Sequence, residues 1–270
     1  MPQTPSATLG AYLFHYLHHT HGICHAFGIP GDFALPMFRW LDASPIELFT
    51  MTHEPSVGFA ADAYARIHGL GLACVTYCVG GLNMVNSIAC AYAEKSPVIV
   101  LSGAPSMKDR HHDPLIHHKV KTFDSQRKVY EEITCATALI SDMETAAAEI
   151  ARVVETVKAQ CRPGYIEIPY DLIDQPIPHK ALPAPRPSLF QEDKEALEAA
   201  ISEAAMMIEK AKQPVLIADI ELHRHGLTDL AAGFAKTLNL PIASTMMSKS
   251  LIRETNPLYI GVYGGGLSEE

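Results

Sequence analysis

Apolar positions over residues 1–170 alternate between two spacings, one helical and one that of a buried strand. Leu9, Tyr12, Leu13, Tyr16 and Leu17 recur at helical spacing, with Ser6 or Thr8 in place as an N-cap. Cys24–Ile29 is a short apolar run closed by Pro30-Gly31-Asp32. Phe33–Asp42 then reads as a helix that tolerates Pro36 because it lies in the first turn. Ile46–Met51 has the pattern of a strand. His53-Glu54-Pro55 opens a helix whose packed stripe is Val57, Ala60, Ala61, Tyr64 and Ala65. Leu72–Tyr77 and Pro97–Gly103 read as buried strands, with Gly80-Gly81 as punctuation and a helix over Leu82–Ala93 between them. A long polar loop leads to a strand at Thr134–Ile140. Behind it, Ser141-x-x-Glu144 has the spacing of a capping box for a helix to about Gln160, and Tyr165–Pro169 is the last strand. Continuous apolar strands alternating with helices predict an α/β fold, a doubly wound parallel sheet covered on both faces.

The pattern changes after residue 173. Prolines at 176, 178, 183, 185 and 187 predict a stiff linker over 174–191 between a first α/β domain, 1–173, and a second, 192–270. The second domain reads as a helix over Glu192–Lys212, a strand at Val215–Ile220, a helix over about Gly226–Asn239 and a strand at Pro241–Ser244. So small a parallel sheet has few neighbours to bury its strands, so this domain is expected to be incomplete at its C-terminal side.

Composition narrows the partners. Of 270 residues, 48% are hydrophobic and 19% charged, enough for a sizeable core and too apolar for a disordered chain. With 21 basic and 30 acidic side chains the net charge is −9, which argues against nucleic acid or an anionic membrane as main partner. No apolar run reaches the roughly 18–20 residues of a membrane span. The N-terminus, MPQTPSATLG, lacks the pattern of a signal peptide. The six cysteines form no CxxC pair and read as small buried hydrophobes in a reducing, cytoplasmic compartment.

Three features could carry chemistry. Glu54 falls between a predicted strand and a predicted helix, at the sheet edge where open α/β folds bind ligands. The plainer alternative is a carboxylate that merely favours the helix dipole. Asp32 lies just past another strand, and its plainer alternative is an N-cap. Two carboxylates at the ends of neighbouring strands could face one crevice. His111, His112, His117 and His118 fall within eight residues. Adjacent histidines rarely ligate one ion, so the choice for this cluster is between a solvated loop and proton transfer near neutral pH. Gly80-Gly81 lacks the spacing of a dinucleotide or P-loop motif.

Four ordered segments go further: AFGIPGDFALPMF, THEPSVGFAADAYAR, VTYCVGGLNMVNSIACAYAEKSPVIVLSGAP and LIHHKVKTFDSQRKVYEEIT. Together they resemble the N-terminal half of thiamine-diphosphate-dependent 2-oxo-acid decarboxylases. The resemblance is closest to the phenylpyruvate/indole-3-pyruvate decarboxylase branch, strong over residues ~8 to ~175 and weaker beyond, through IGVYGGGLS. It implies that Glu54 hydrogen-bonds N1′ of the cofactor's aminopyrimidine. It implies that Asp32, His117 and His118 pass protons as the aldehyde forms, with Pro30, Gly31, Cys78 and Gly80 also lining the cofactor. His111 and His112 have no counterpart. Cys78 stands where relatives carry a small residue, commonly glycine, and Gly81 where the pyruvate-specific branch carries glutamate. The family's Gly-Asp-Gly…Asn motif, which holds Mg²⁺ and the diphosphate, is absent from these 270 residues. The implied whole is a homodimer or homotetramer acting on a small 2-oxo acid, its Mg²⁺ on a C-terminal domain not included here. The expectation is therefore an incomplete enzyme, inactive alone. The alternatives are a subunit completed by a separate diphosphate-binding chain, and a non-catalytic dimerisation or regulatory module retaining the fold.

Overall fold

A computed structural model describes residues 7–178 and 193–267, in two units, Met1–Pro187 and Ser188–Glu270. Among the described residues of the first unit, six parallel strands form one sheet: β1 His25–Gly28, β2 Glu47–Thr50, β3 Gly71–Val75, β4 Val98–Ala104, β5 Ala136–Leu139 and β6 Gly164–Pro169. Their spatial order is β2-β1-β3-β4-β6-β5. β3, β4 and β6 are buried along their whole length because both faces are covered.

Alternate residues of each strand serve opposite faces. Leu72, Cys74, Ile99, Leu101, Ile166 and Ile168 pack with α1 (Leu9–His15), α2 (Leu35–Asp42) and α7 (Ala146–Gln160). Ala73, Val75, Val98, Val100 and Tyr165 pack with α3 (Glu54–His68), α4 (Val85–Ala93) and α6 (Ser125–Glu131). The doubly wound parallel sheet expected from the sequence is the fold of this unit.

Local chemistry sets several element ends. The Thr8 hydroxyl accepts from the Ala11 N–H and caps α1. Proline sits in the first turn of both α2 and α3, where its missing N–H costs nothing. The Ser141–Glu144 capping box does not form. The Asp142 carboxylate instead accepts the Glu144 N–H at 2.9 Å, and α7 starts later, after Thr145. A capping box does form at Ser106 and Asp109, starting α5 (Met107–His112). The expected long polar loop thus contains two short helices, α5 and α6. The expected linker also starts later than residue 174. Asp174 accepts from Arg39 and from the Trp40 indole, Pro176 bridges to Thr8, and Ile177 is 2% exposed in the core. Residues 179–191 of that linker, with Pro183, Pro185 and Pro187, lie outside the described residues.

The second unit contains α8 (Lys194–Lys210), β7 (Leu216–Ala218), α9 (Glu221–Arg224), α10 (Thr228–Leu238), β8 (Ile242–Thr245) and β9 (Tyr259–Tyr263). β7, β8 and β9 form a parallel sheet in that order, one strand more than the sequence pattern predicts. Its core is Ala218, Ala235, Leu240, Ile242 and Ile252, whereas Leu197, Ile201, Met206 and Met207 of α8 are exposed. No described helix is long and apolar enough to cross a membrane.

Candidate active site

The two carboxylates singled out in the sequence follow paired strands. β1 and β2 are neighbours, and Gly28 and Thr50, their last residues, stand in register. Asp32 and Glu54 each come four residues later, at the carboxyl edge of the sheet. Glu54 is the first residue of α3, where the helix dipole favours a negative charge. One of its oxygens, Oε2, accepts from Asn83 Nδ2 at 2.7 Å. Its Oε1 has no protein partner among the described residues. Asn83 lies in the 3₁₀ turn Leu82–Met84, just after Gly80-Gly81, and sequence reasoning gave it no role beside Glu54.

Asp32 and the second histidine pair meet. His117 Nε2 hydrogen-bonds Asp32 Oδ2, although 85 positions separate them. Asp32 Oδ1 accepts the Phe33 N–H at 2.9 Å. Burial pushes the Asp32 carboxyl upward, but the His117 and Phe33 hydrogen bonds and the nearby imidazoles outweigh it and hold Asp32 below the ordinary aspartate range. Phe33 stacks on the His117 ring with centroids 4.8 Å apart and 18° between planes. His118 has φ +64°, in the left-handed region. That turn brings its ring to 4.6 Å from that of His117. Donor atoms of Asp32, His117 and His118 lie within 4.8 Å of one another, at exposed positions. His111 and His112 remain apart at the end of α5, where His112 Nδ1 contacts the Lys108 carbonyl.

Other candidates form the floor. Gly31 and Gly80 both press on Thr76: a Cβ would fall 2.6 Å from the Thr76 side chain at Gly31, and 2.8 Å from its carbonyl oxygen at Gly80. The Thr76 hydroxyl is buried there with no protein partner among the described residues. Cys78 holds φ +52°, a backbone that favours glycine. Its thiol is 1% exposed, packed among Phe33, Tyr77, Ala104 and Phe123 beneath the histidine loop, and burial pushes its pKa up. Pro30 is exposed beside this floor.

A carboxylate at a helix N-terminus, with one oxygen held by Asn83 and the other without a protein partner among the described residues, fits the pyrimidine end of thiamine diphosphate, where a carboxyl serves a ring nitrogen. The comparisons point the same way. Residues 7–128 match the thiamine pyrophosphate enzyme N-terminal TPP binding domain, and residues 201–270 match the central domain of the same enzymes. The chain is 44% identical over 244 residues to an indole-3-pyruvate decarboxylase of Azospirillum brasilense, covering 88% of this chain and 44% of that protein. It is 33% identical to pyruvate decarboxylase 1 of Oryza sativa subsp. indica, covering 97% and 44% respectively. It is also 33% identical to pyruvate decarboxylase 1 of Pisum sativum, covering 99% and 46%. The chain thus spans under half the length of these relatives. It belongs to the thiamine pyrophosphate enzymes, of which it carries the N-terminal TPP binding domain and the central domain.

Proposed function

We propose that the complete protein is a thiamine-diphosphate-dependent, non-oxidative decarboxylase of 2-oxo acids that releases an aldehyde and CO₂. The observation that carries this reading is the meeting of Asp32 with His117 at the sheet edge that also holds Glu54, its Oε1 unpartnered. The cofactor, when bound, supplies the electron sink for the pair left as CO₂ departs. Glu54 holds a proton for the ring nitrogen, and Asn83 on its other oxygen keeps the carboxyl from turning away. A 2-oxo-acid anion that loses CO₂ must gain one proton to become an aldehyde. The Asp32–His117 pair, which shares a proton between Asp32 Oδ2 and His117 Nε2 and whose imidazole is fixed by Phe33, is placed to hand over that proton, with His118 beside it.

Two features favour an aromatic substrate such as phenylpyruvate or indolepyruvate. Gly81 stands where the resemblance gives glutamate to the pyruvate branch, and the Azospirillum relative exceeds the two pyruvate decarboxylases in identity. We infer that the diphosphate and Mg²⁺ are held outside these 270 residues and that the site closes across a subunit interface. The exposed Leu35, Phe59 and Val79 near this edge suit such an interface. The six free thiols suit a reducing, cytoplasmic compartment. The 270-residue chain alone is then expected to bind cofactor weakly and turn over no substrate. The test is steady-state decarboxylation of phenylpyruvate, indolepyruvate and pyruvate by the complete protein with thiamine diphosphate and Mg²⁺, followed by coupled aldehyde oxidation. Turnover should appear and should collapse in Asp32→Asn. Full turnover in that variant, or in the 270-residue chain alone, would sink the reading.

A further inference from the structure

A buried ion pair of the first unit lies beneath the histidine loop, and no role has so far fallen to it. Glu167 on β6 is 0% exposed, and Arg110 at the end of α5 is 9% exposed at its side chain. One guanidinium nitrogen of Arg110, Nη2, donates to Glu167 Oε1 and, at 3.3 Å, to the Phe123 carbonyl. The other, Nη1, donates to Asp124 Oδ1 at 3.1 Å. Arg110 immediately precedes the stretch 111–122 that carries His117 and His118, and Phe123 and Asp124 immediately follow it. One side chain therefore joins the entrance of the loop to its exit and ties both to the sheet.

The anchor is itself fixed. The Ser106–Asp109 capping box and the Met107 N–H, donated to Asp171 at 3.1 Å, hold the start of α5. Tyr165 donates to Glu167 Oε2 at 2.5 Å, and Gln126 Nε2 donates to the Tyr165 hydroxyl at 2.6 Å. Tyr77 donates to the Phe123 carbonyl at 3.0 Å. The loop's other ties are lighter: Lys119 binds Asp113 and the Pro114 carbonyl, the Thr122 N–H donates to Ser125 Oγ, Val120 meets the Cys78 thiol through its backbone, Phe33 lies against the two histidine rings, and Ile116 packs on the Phe33–Phe123 cluster. His117 itself is more than half exposed. Its contact with Asp32 therefore depends on where the loop ends are held.

We propose that Arg110 and Glu167 form a positioning pair, a buried clip that holds both ends of the histidine loop so that His117 reaches Asp32. The proposal rests on the proton-relay reading of Asp32 and His117. A guanidinium suits the task because its planar fork serves several acceptors at once, whereas a lysine ammonium serves them as a point charge. Burial raises the Glu167 pKa against the pull of Arg110. Without Arg110, Glu167 would take up a proton and both loop ends would lose their donor.

The test follows the Asp32 carboxyl by carbon-13 NMR titration of the 270-residue chain, a readout that needs no cofactor. In the unaltered chain Asp32 should titrate below the ordinary aspartate range. In Arg110→Met its midpoint should rise to that range, and Arg110→Lys should restore part of the difference. Arg110→Met strands a buried carboxyl and could unfold the domain. The double variant Arg110→Met/Glu167→Met removes both charges, fills the space, and is the decisive protein. If it folds with the Asp32 midpoint raised, the clip stands; if the midpoint stays low, the clip is refuted. In the complete enzyme the same double variant should lose about 100-fold in kcat through misplacement of the relay. A raised midpoint with kcat unchanged would leave the clip intact and overturn the relay.

Discussion

Alanine at position 81 probes how the glycine turn is packed. The Gly81 backbone has φ −62° and ψ −46°, an ordinary right-handed conformation, so a methyl group there meets no backbone strain. It meets a side chain instead: a Cβ on Gly81 would lie 2.5 Å from Cδ and 2.8 Å from Nε2 of Gln126. That amide cannot withdraw freely. Gln126 is fully buried, and its Nε2 donates to Ser102 Oγ at 2.8 Å and to the Tyr165 hydroxyl at 2.6 Å. The Tyr130 hydroxyl donates to the Gly81 carbonyl at 2.7 Å and fixes the turn from the other side. Accommodating the methyl therefore costs either overpacking strain of about 1–3 kcal/mol or two buried hydrogen bonds at about 1 kcal/mol each. The smaller unfolded-state freedom of alanine offsets roughly 0.5 kcal/mol. The net loss is about 0.5–2.5 kcal/mol, which lowers the melting temperature by about 1–10 °C in a domain of this size. Circular dichroism of Gly81→Ala, Gln126→Ser and the pair, on heating and in urea, measures it. With Gln126 shortened the methyl has room, so Gly81→Ala should cost almost nothing in that background. The two changes should then couple by about 1.5 kcal/mol. Strict additivity would refute Gln126 as the obstacle.

Three further outcomes are expected. Glu54→Gln in the complete enzyme should lower kcat about 10²–10⁴-fold while unfolding within about 1 kcal/mol of the parent, since only a carboxylate at a helix N-terminus is changed; steady-state kinetics beside urea melts would show a retained kcat if the role lies elsewhere. The depressed Asp32 pKa adds stability above the ordinary aspartate range that is lost as pH falls through the lowered folded value. The Asp32 and His117 side chains are 48% and 59% exposed, so this is under about 1 kcal/mol, and His117→Ala should flatten that part of the acid limb of urea midpoints between pH 6 and 3. Iodoacetamide in native buffer should label exposed Cys24 first and spare Cys74 and Cys78, whose burial raises their thiols; mass spectrometry showing early label at Cys74 would contradict the packed core.

The strands that the sequence marked clearly are those buried on both faces. β3 and β4 have no exposed residue, so each reads as one apolar run and lies within two residues of its predicted bounds. β9 was missed because it is only half-buried and is broken by Gly261 at φ +125°, beside a register shift against β8. α5 and α6 were missed because almost nothing in them faces the core: α5 buries no residue, and α6 buries Gln126 and Tyr130. The expected box at Ser141 failed on a shorter-range competitor, since Asp142 lies closer along the chain to the Glu144 N–H and takes it first.

The carboxylates of the site were legible for a reason the histidines do not share. Residues that follow a strand in a parallel sheet must come to its carboxyl edge, so Asp32 and Glu54 were bound to the same edge wherever their strands lay in it. That β1 and β2 are neighbours is a fact of topology that no local pattern records. His117 and His118 belong to a loop, and consecutive residues in extended backbone point to opposite sides, which is why joint ligation of one ion was not expected of them. The left-handed conformation of His118 removes that objection by turning the two rings toward each other. Such a conformation costs a non-glycine residue about 1–2 kcal/mol. It persists where surrounding contacts over-determine the backbone: here Phe33 against both rings, Lys119 on Asp113, and Arg110 across the two ends. Of these contacts only Lys119–Asp113 is local. Phe33 comes from a strand-following turn, and Arg110, which closes the loop, is itself held by Glu167 on β6, so the geometry of the histidines depends in part on residues far from them in sequence, and no motif at 111–118 could have disclosed it.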